Sequence, residues 1–258
     1  MDIKGDSAHI FGDSPRGLHR NGSCPLSFLC DAPFFIYICR MIPLYDTIPS
    51  KRFPVVNWLI IITNALVFIF ELTLNDAEAQ AFFYKFGLVP SQVNLESGNY
   101  YTFLTTMFLH GGWGHFIGNM WILFIFGDNV EDRMGSVRYF FFYIITGLIA
   151  GFTHFILYRH SPVPAIGASG AISGIMAAYM FLFPDSRIIS FIPVFFLPLI
   201  LPVPAFIYIA VWFIWQLFSG TVNLLFSPVI TGIAFWAHIG GFLGGLALYK
   251  LFLSRKRR

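Results

Sequence analysis

The stretch "GASGAISG" (167–174) decides how the rest of the chain is read. Only Ile172 in it is bulky, and two serines, Ser169 and Ser173, stand among glycines and alanines in strongly apolar surroundings. Small residues along a helix let a neighbouring backbone approach closely. A serine in that company is also a candidate nucleophile. Working outward, 57% of the 258 residues are hydrophobic and 11% are charged, against the roughly 25% charge of a soluble domain. Long apolar runs in such a chain are read as membrane spans rather than a soluble core. A formal net charge of +3 gives no nucleic-acid footprint. Cys24, Cys30 and Cys39 all precede Met41, at spacings that do not match a zinc site, so neither a disulfide framework nor a thiolate metal centre is expected in the membrane part.

Six helical spans are expected, at about 55–74, 112–127, 138–158, 168–183, 205–224 and 233–253. Residues 188–204 are apolar too, but Pro193, Pro198, Pro202 and Pro204 interrupt them, and proline removes a donor and clashes inside a helix. They are read as a membrane-hugging connection, with a seventh span as the alternative. Lys/Arg placement favours six. With the N-terminus inside, the inner side receives Lys51, Arg52, Arg133, Arg138, Arg187 and the tail Arg255–Arg258, and the outer side keeps Lys85 and Arg159. Lys250 snorkels from span six. The outer segment 75–110 mixes phenylalanines with few charges, as expected of a loop lying on the membrane. Residues 1–40 are expected to be an extension upstream of a natural start at Met41, leaving 41–258 as the membrane domain.

A polar group at membrane depth is costly, so His110, His115, Asn119, His154, Ser169, Ser173 and His238 each need a reason. His115 and Asn119 stand at i, i+4 on one helix face. With Ser169 and His238 they converge on the outer half of the bilayer. Two such donors can hold a developing negative charge, or serve only as interhelical hydrogen-bonding glue. His238 sits in "AHIGGFLGG" (237–245), where Gly240/Gly244 and Gly241/Gly245 form two small-residue pairs that match the stripe in span four. Close packing of spans four and six would bring His238 toward Ser169, where it could take the hydroxyl proton. With no intramembrane Asp or Glu seen to orient the imidazole, the expectation is a dyad. The HExxH zinc motif and an intramembrane aspartate pair are both absent from the sequence.

With these residues the chain resembles the rhomboid intramembrane serine proteases. "HFIGN" (115–119) is similar to the family's His-x-x-x-Asn element, "GASG" (167–170) to its Gly-x-Ser-Gly element, "AHIGGFLGG" to its catalytic-His helix, and "EDRMG" (131–135) to its turn after the second helix, together covering about 97–253. The resemblance implies an all-α polytopic membrane fold, a six-helix bundle with a membrane-associated outer loop between helices 1 and 2. It implies Ser169 as nucleophile and His238 as general base, with His115, Asn119 and the backbone N–H groups of Ser169 and Ala168 as oxyanion hole. Gly167 and Gly170 allow close backbone approach, and His110 has a structural part. Glu131 and Arg133 anchor the inner turn, or are simply solvated charges. Implied partners are the lipid bilayer and membrane-protein substrates with a transmembrane segment, and no metal or cofactor is implied. Some bacterial members carry an aromatic residue four positions after the nucleophile, stacked on the histidine. Here it is Ser173, so His238 is expected to be braced by other packing, the close backbone of span four above all.

Two rival readings stand beside this one. One is a proteolytically silent rhomboid-like binding or quality-control factor, the other a haem- or metal-binding membrane protein using His110, His115 and His238. The compact plan with a basic tail suits a prokaryotic plasma membrane with both termini cytoplasmic, an organellar membrane being the alternative.

Overall fold

Helices lie at each of the six apolar segments in the computed structural model, which describes residues 41–94, 98–194, 197–226 and 233–254. The cysteines and the expected extension 1–40 fall outside the described residues. In chain order, β1 (Ile42–Asp46) leads into α1 (Val55–Glu71), α2 (Asp76–Phe86), the one-turn α3 (Thr102–Thr105), α4 (Trp113–Met134), α5 (Ser136–Leu157) and α6 (Ser169–Leu182). A hairpin of β2 (Arg187–Val194) and β3 (Leu197–Pro204) follows, then α7 (Ala205–Phe226) and α8 (Phe235–Leu248). Among the described residues two helices, Ser136–Leu157 and Ala205–Leu225, are by themselves long and apolar enough to cross a membrane. At ~1.5 Å per residue the 14 residues of α6 rise about 21 Å, short of a hydrocarbon core of about 30 Å.

Helix α6 is the axis of the bundle. Every residue from Gly170 to Met180 is buried, the pattern of a helix apolar all round and enclosed by others. Its glycines set the distances. A Cβ on Gly241 or Gly245 of α8 would strike the α6 backbone at Gly170 or Gly174, so α6 and α8 touch backbone to backbone. The other glycine pair of α8 faces elsewhere: Gly240 packs on Thr153 and Gly244 on Ile149, both of α5. The two stripes thus serve two neighbours, rather than both admitting span four.

The turn "EDRMG" has a specific task. Pro54 gives α1 no side-chain cap. The Glu131 carboxylate of α4 instead accepts the N–H groups of Val56 (3.1 Å) and Asn57 (2.7 Å) and the Ser136 hydroxyl (2.5 Å). A carboxylate at a helix N-terminus satisfies orphan donors at the positive end of the dipole. Asn57 in turn donates to Leu123 O (3.1 Å) and accepts from the Tyr139 hydroxyl (2.7 Å), tying α1, α4 and α5 together.

The proline-rich stretch 188–204, expected to be a membrane-hugging connection, forms regular strands. It is an antiparallel hairpin, with β1 added as a third strand in the order β1-β2-β3. Its prolines suit an edge. Pro193 opposes Pro198, and a pair lacking both N–H groups cannot be a hydrogen-bonded one. Residues 198, 200, 202 and 204 therefore turn their backbone N to the free edge, and three of those four are proline, which blocks pairing with another strand. At the other side of the sheet, Asp46 accepts from Asn129 Nδ2 (2.8 Å) and from the Tyr179 hydroxyl, fastening β1 to α4 and α6. Trp121 Nε1 donates to Pro43 O (2.6 Å).

Candidate active site

Ser169 is the first residue of α6, and the loop before it is fixed by the segment between α1 and α4. Leu88 and Ala165 exchange two backbone hydrogen bonds (3.0 and 2.8 Å). Gly167 N–H donates to Thr106 O (2.9 Å), and the Thr106 hydroxyl donates to Ala165 O (2.5 Å). The segment 75–110, expected to lie on or partly in the membrane, therefore also fastens the loop before Ser169. Gly167 has φ +125°, a conformation side-chain-bearing residues avoid. A Cβ there would also stand 2.6 Å from His115 Nε2 and 3.6 Å from Asn119 Nδ2. Both side chains of the α4 pair thus lie against the backbone just before Ser169. The first intrahelical bond of α6 runs from Ile172 N–H to Ala168 O (3.1 Å), leaving the N–H groups of Ser169, Gly170 and Ala171 at the open end of the helix.

His238 Nε2 lies 2.7 Å from Ser169 Oγ. Its other ring nitrogen, Nδ1, lies 2.8 Å from Gln216 Oε1 on α7. Trp212, one turn earlier on the same helix, places its ring 5.9 Å from the imidazole at 36°. Ser173 Oγ lies 2.6 Å from Gly170 O and 2.8 Å from His238 O, so the second serine ties α8's backbone to α6 at the level of the histidine. The bracing of His238 was expected from the span-four backbone. It comes from α6 only for the main chain, while the ring is held from α7.

His110 and Asn119 form a supporting pair. Asn119 Nδ2 donates to His110 Nε2 (3.0 Å), and His110 N–H is shared by both oxygens of Glu71 at 3.2 Å. The His110 and His115 rings meet edge to face at 5.1 Å. His154 of α5 is buried and lines, with Thr106, Gly167, Ser169 and Gly170, a cavity of about 30 Å³ beside the serine. Among the described residues no cluster of three or more His, Cys, Asp or Glu could hold a metal ion.

The geometry thus gathers Ser169, His238, His115, Asn119, Gly167, Ala168 and Gly170 at one end of the bundle. A hydroxyl sits against an imidazole nitrogen at a helix N-terminus, with the His115 and Asn119 side chains against the preceding backbone, an arrangement able to activate the hydroxyl and receive an oxyanion. Gln216 was missed from the sequence, although the signal was there: it is the one amide in the apolar run "AFIYIAVWFIWQLF".

A rhomboid-domain family model matches residues 97–255, well over half of the chain. Rhomboid-like protein 11, chloroplastic, of Arabidopsis thaliana is 30% identical over 129 residues, 50% of this chain and 42% of that protein. Rhomboid protease GluP of Bacillus subtilis (strain 168) is 27% identical over 195 residues, 74% of this chain and 34% of that protein. Putative rhomboid protease YdcA of the same organism is 24% identical over 136 residues, 51% and 64% respectively. The chain thus spans between about a third and two thirds of the length of these relatives. Motifs, helical architecture and a family match over this extent lead to one conclusion: the chain belongs to the rhomboid family of integral membrane proteins.

Proposed function

We propose that the protein is an intramembrane serine endopeptidase that cleaves transmembrane segments of membrane-protein substrates. The observation that carries the reading is the 2.7 Å approach of Ser169 Oγ to His238 Nε2 at the open N-terminus of α6. In this reading the substrate segment unwinds locally, because its helical peptide bonds are otherwise hydrogen-bonded within the helix. Ser169 Oγ attacks the carbonyl carbon while His238 Nε2 takes the hydroxyl proton. The carbonyl oxygen, now an anion, is held by His115, Asn119 and the N–H groups of Ser169 and Ala168. The C–N bond breaks as the imidazolium gives its proton to the leaving amine. Water, deprotonated by the same imidazole, then hydrolyses the acyl ester and restores Ser169.

The six helical segments are read as six spans, with both termini on the cytoplasmic side of a prokaryotic plasma membrane. The Lys/Arg asymmetry supports this orientation. The second reading, a silent rhomboid-like factor, is disfavoured by the presence of both Ser169 and His238 in hydrogen-bond contact. The test is cleavage of a reporter transmembrane substrate in proteoliposomes. Ser169→Ala and His238→Ala are expected to abolish it, and a fluorophosphonate probe is expected to label Ser169. Undiminished cleavage by Ser169→Ala would refute the mechanism.

A further inference from the structure

We infer that Gln216 is a positioning residue for this chemistry: its Oε1 accepts the Nδ1–H of His238 and so holds the imidazole in the tautomer whose Nε2 is free to take the Ser169 proton. The inference rests on the Ser169–His238 reading and deepens it. A neutral imidazole carries one N–H, and a base toward Ser169 must carry it on Nδ1. Nothing on α6 or α8 supplies a ring partner there, since Ser173 is engaged with the backbone oxygens of Gly170 and His238. Helix α7 supplies both restraints. Gln216 bonds the ring in its plane, and Trp212, four residues earlier and so on the same face, contacts the ring.

Gln216 is buried, at 6% exposure, in an otherwise apolar stretch of span, a place where a leucine or methionine would pack at lower cost. The amide is neutral. It orients the ring by its dipole, but it stabilises the imidazolium formed during reaction less than a carboxylate would.

Three substitutions separate positioning from packing. Gln216→Met keeps the volume and loses the acceptor. It is expected to lower kcat by about 10–100-fold, part of the roughly 10²–10⁴ that a positioned base supplies, with KM within about 3-fold. Gln216→Asn keeps the chemistry but is one methylene too short, and is expected to be as slow as the methionine variant. Gln216→Glu keeps both reach and acceptor. It is expected to retain more activity than either, with the acid limb of the kcat/KM profile moved to higher pH because a carboxylate favours the charged imidazole. Each variant is also followed by its rate of Ser169 labelling with a fluorophosphonate, which needs no substrate. Wild-type kcat in Gln216→Met, or equal losses in all three with an unmoved acid limb, overturns the inference. If Ser169→Ala is inactive while Gln216→Met is normal, only the role of Gln216 fails. If wild type is not labelled and Ser169→Ala cleaves normally, the Ser–His reading fails and this inference falls with it.

Discussion

Replacing Gly241 by alanine tests whether backbone contact between α6 and α8 sets the Ser169–His238 distance. The added methyl collides with Gly170 O and stands 2.6 Å from Ser173 Oγ and 2.9 Å from Gly170 C. Carbon atoms pack at about 3.5–4.0 Å, so clearing Gly170 C alone parts the helices by at least roughly 0.6–1 Å, and a backbone carbonyl cannot swing aside as a side chain can. Gly170 follows Ser169 directly, and Gly241 lies one turn from His238. The same displacement therefore stretches the 2.7 Å Ser169–His238 contact to about 3.5 Å, outside hydrogen-bond range. A misplacement of ~1 Å at reacting groups costs about 10²-fold in rate, and overpacking costs about 1–3 kcal/mol in stability. The assay is kcat on a reporter transmembrane substrate in proteoliposomes, with thermal unfolding alongside. Gly244→Ala is the comparison. Its methyl meets only the Ile149 side chain, at 2.9 Å or more, which can rotate away, so a loss of less than about 3-fold is expected. Wild-type turnover in Gly241→Ala, or equal damage from the two substitutions, would refute the reasoning.

In the proposed mechanism Asn119→Ala removes one oxyanion donor and should lower kcat by about 10²–10³-fold with little change in KM, read from initial rates on the same substrate. His110→Leu, which removes the 3.0 Å bond to Asn119 and the ring contact with His115, should cost less, about 10-fold, most of it absent in the Asn119→Ala background, a double-mutant cycle being the check. Glu131→Gln weakens the cap on α1 and should destabilise the protein by about 1–3 kcal/mol in thermal unfolding, while folded enzyme retains its kcat. Burial raises the Asp46 carboxyl from its ordinary 3.8 to about 6, against the opposing hydrogen bond from Tyr179. The folded state thus holds that proton more tightly than the unfolded chain, giving a stability contribution full below about pH 4 and lost as pH rises through about 6. Asp46→Asn should remove that part of the fall in melting temperature between about pH 4 and 7, and an unchanged slope would refute the assignment.

The helical segments were legible because each is a long apolar run, and the four motifs because polar residues at membrane depth are few and costly. The sheet was not. "RIISFIPV" and "LPLILPVP" are apolar and proline-broken, a pattern equally compatible with an irregular connection. Pairing with β1, more than 140 positions earlier for most of the strand, is a long-range event that no local signal announces. The glycine stripes of α8 were visible, but their division between α6 and α5 was not, because spacing marks a face without saying which helix covers it. Glu131 could be read as an anchor of its own turn or as a solvated charge, but not as the cap of another helix. Its work at α1 depends on where a helix some 75 residues earlier begins.

The sequence by itself determined which groups are available for chemistry: a serine at the start of a small-residue helix, a histidine among glycines, and a His/Asn pair one turn apart. Those follow from residue type and helical periodicity, which are local. Only the tertiary structure decided what holds them. Gln216 and Trp212 reach His238 from α7, Ser173 reaches the His238 carbonyl from α6, and Thr106 and Leu88 fix the loop before Ser169. Hydrogen bonds between segments far apart in the chain depend on sub-ångström distances, and those are set by how helices pack, not by the spacing of residues along any one of them.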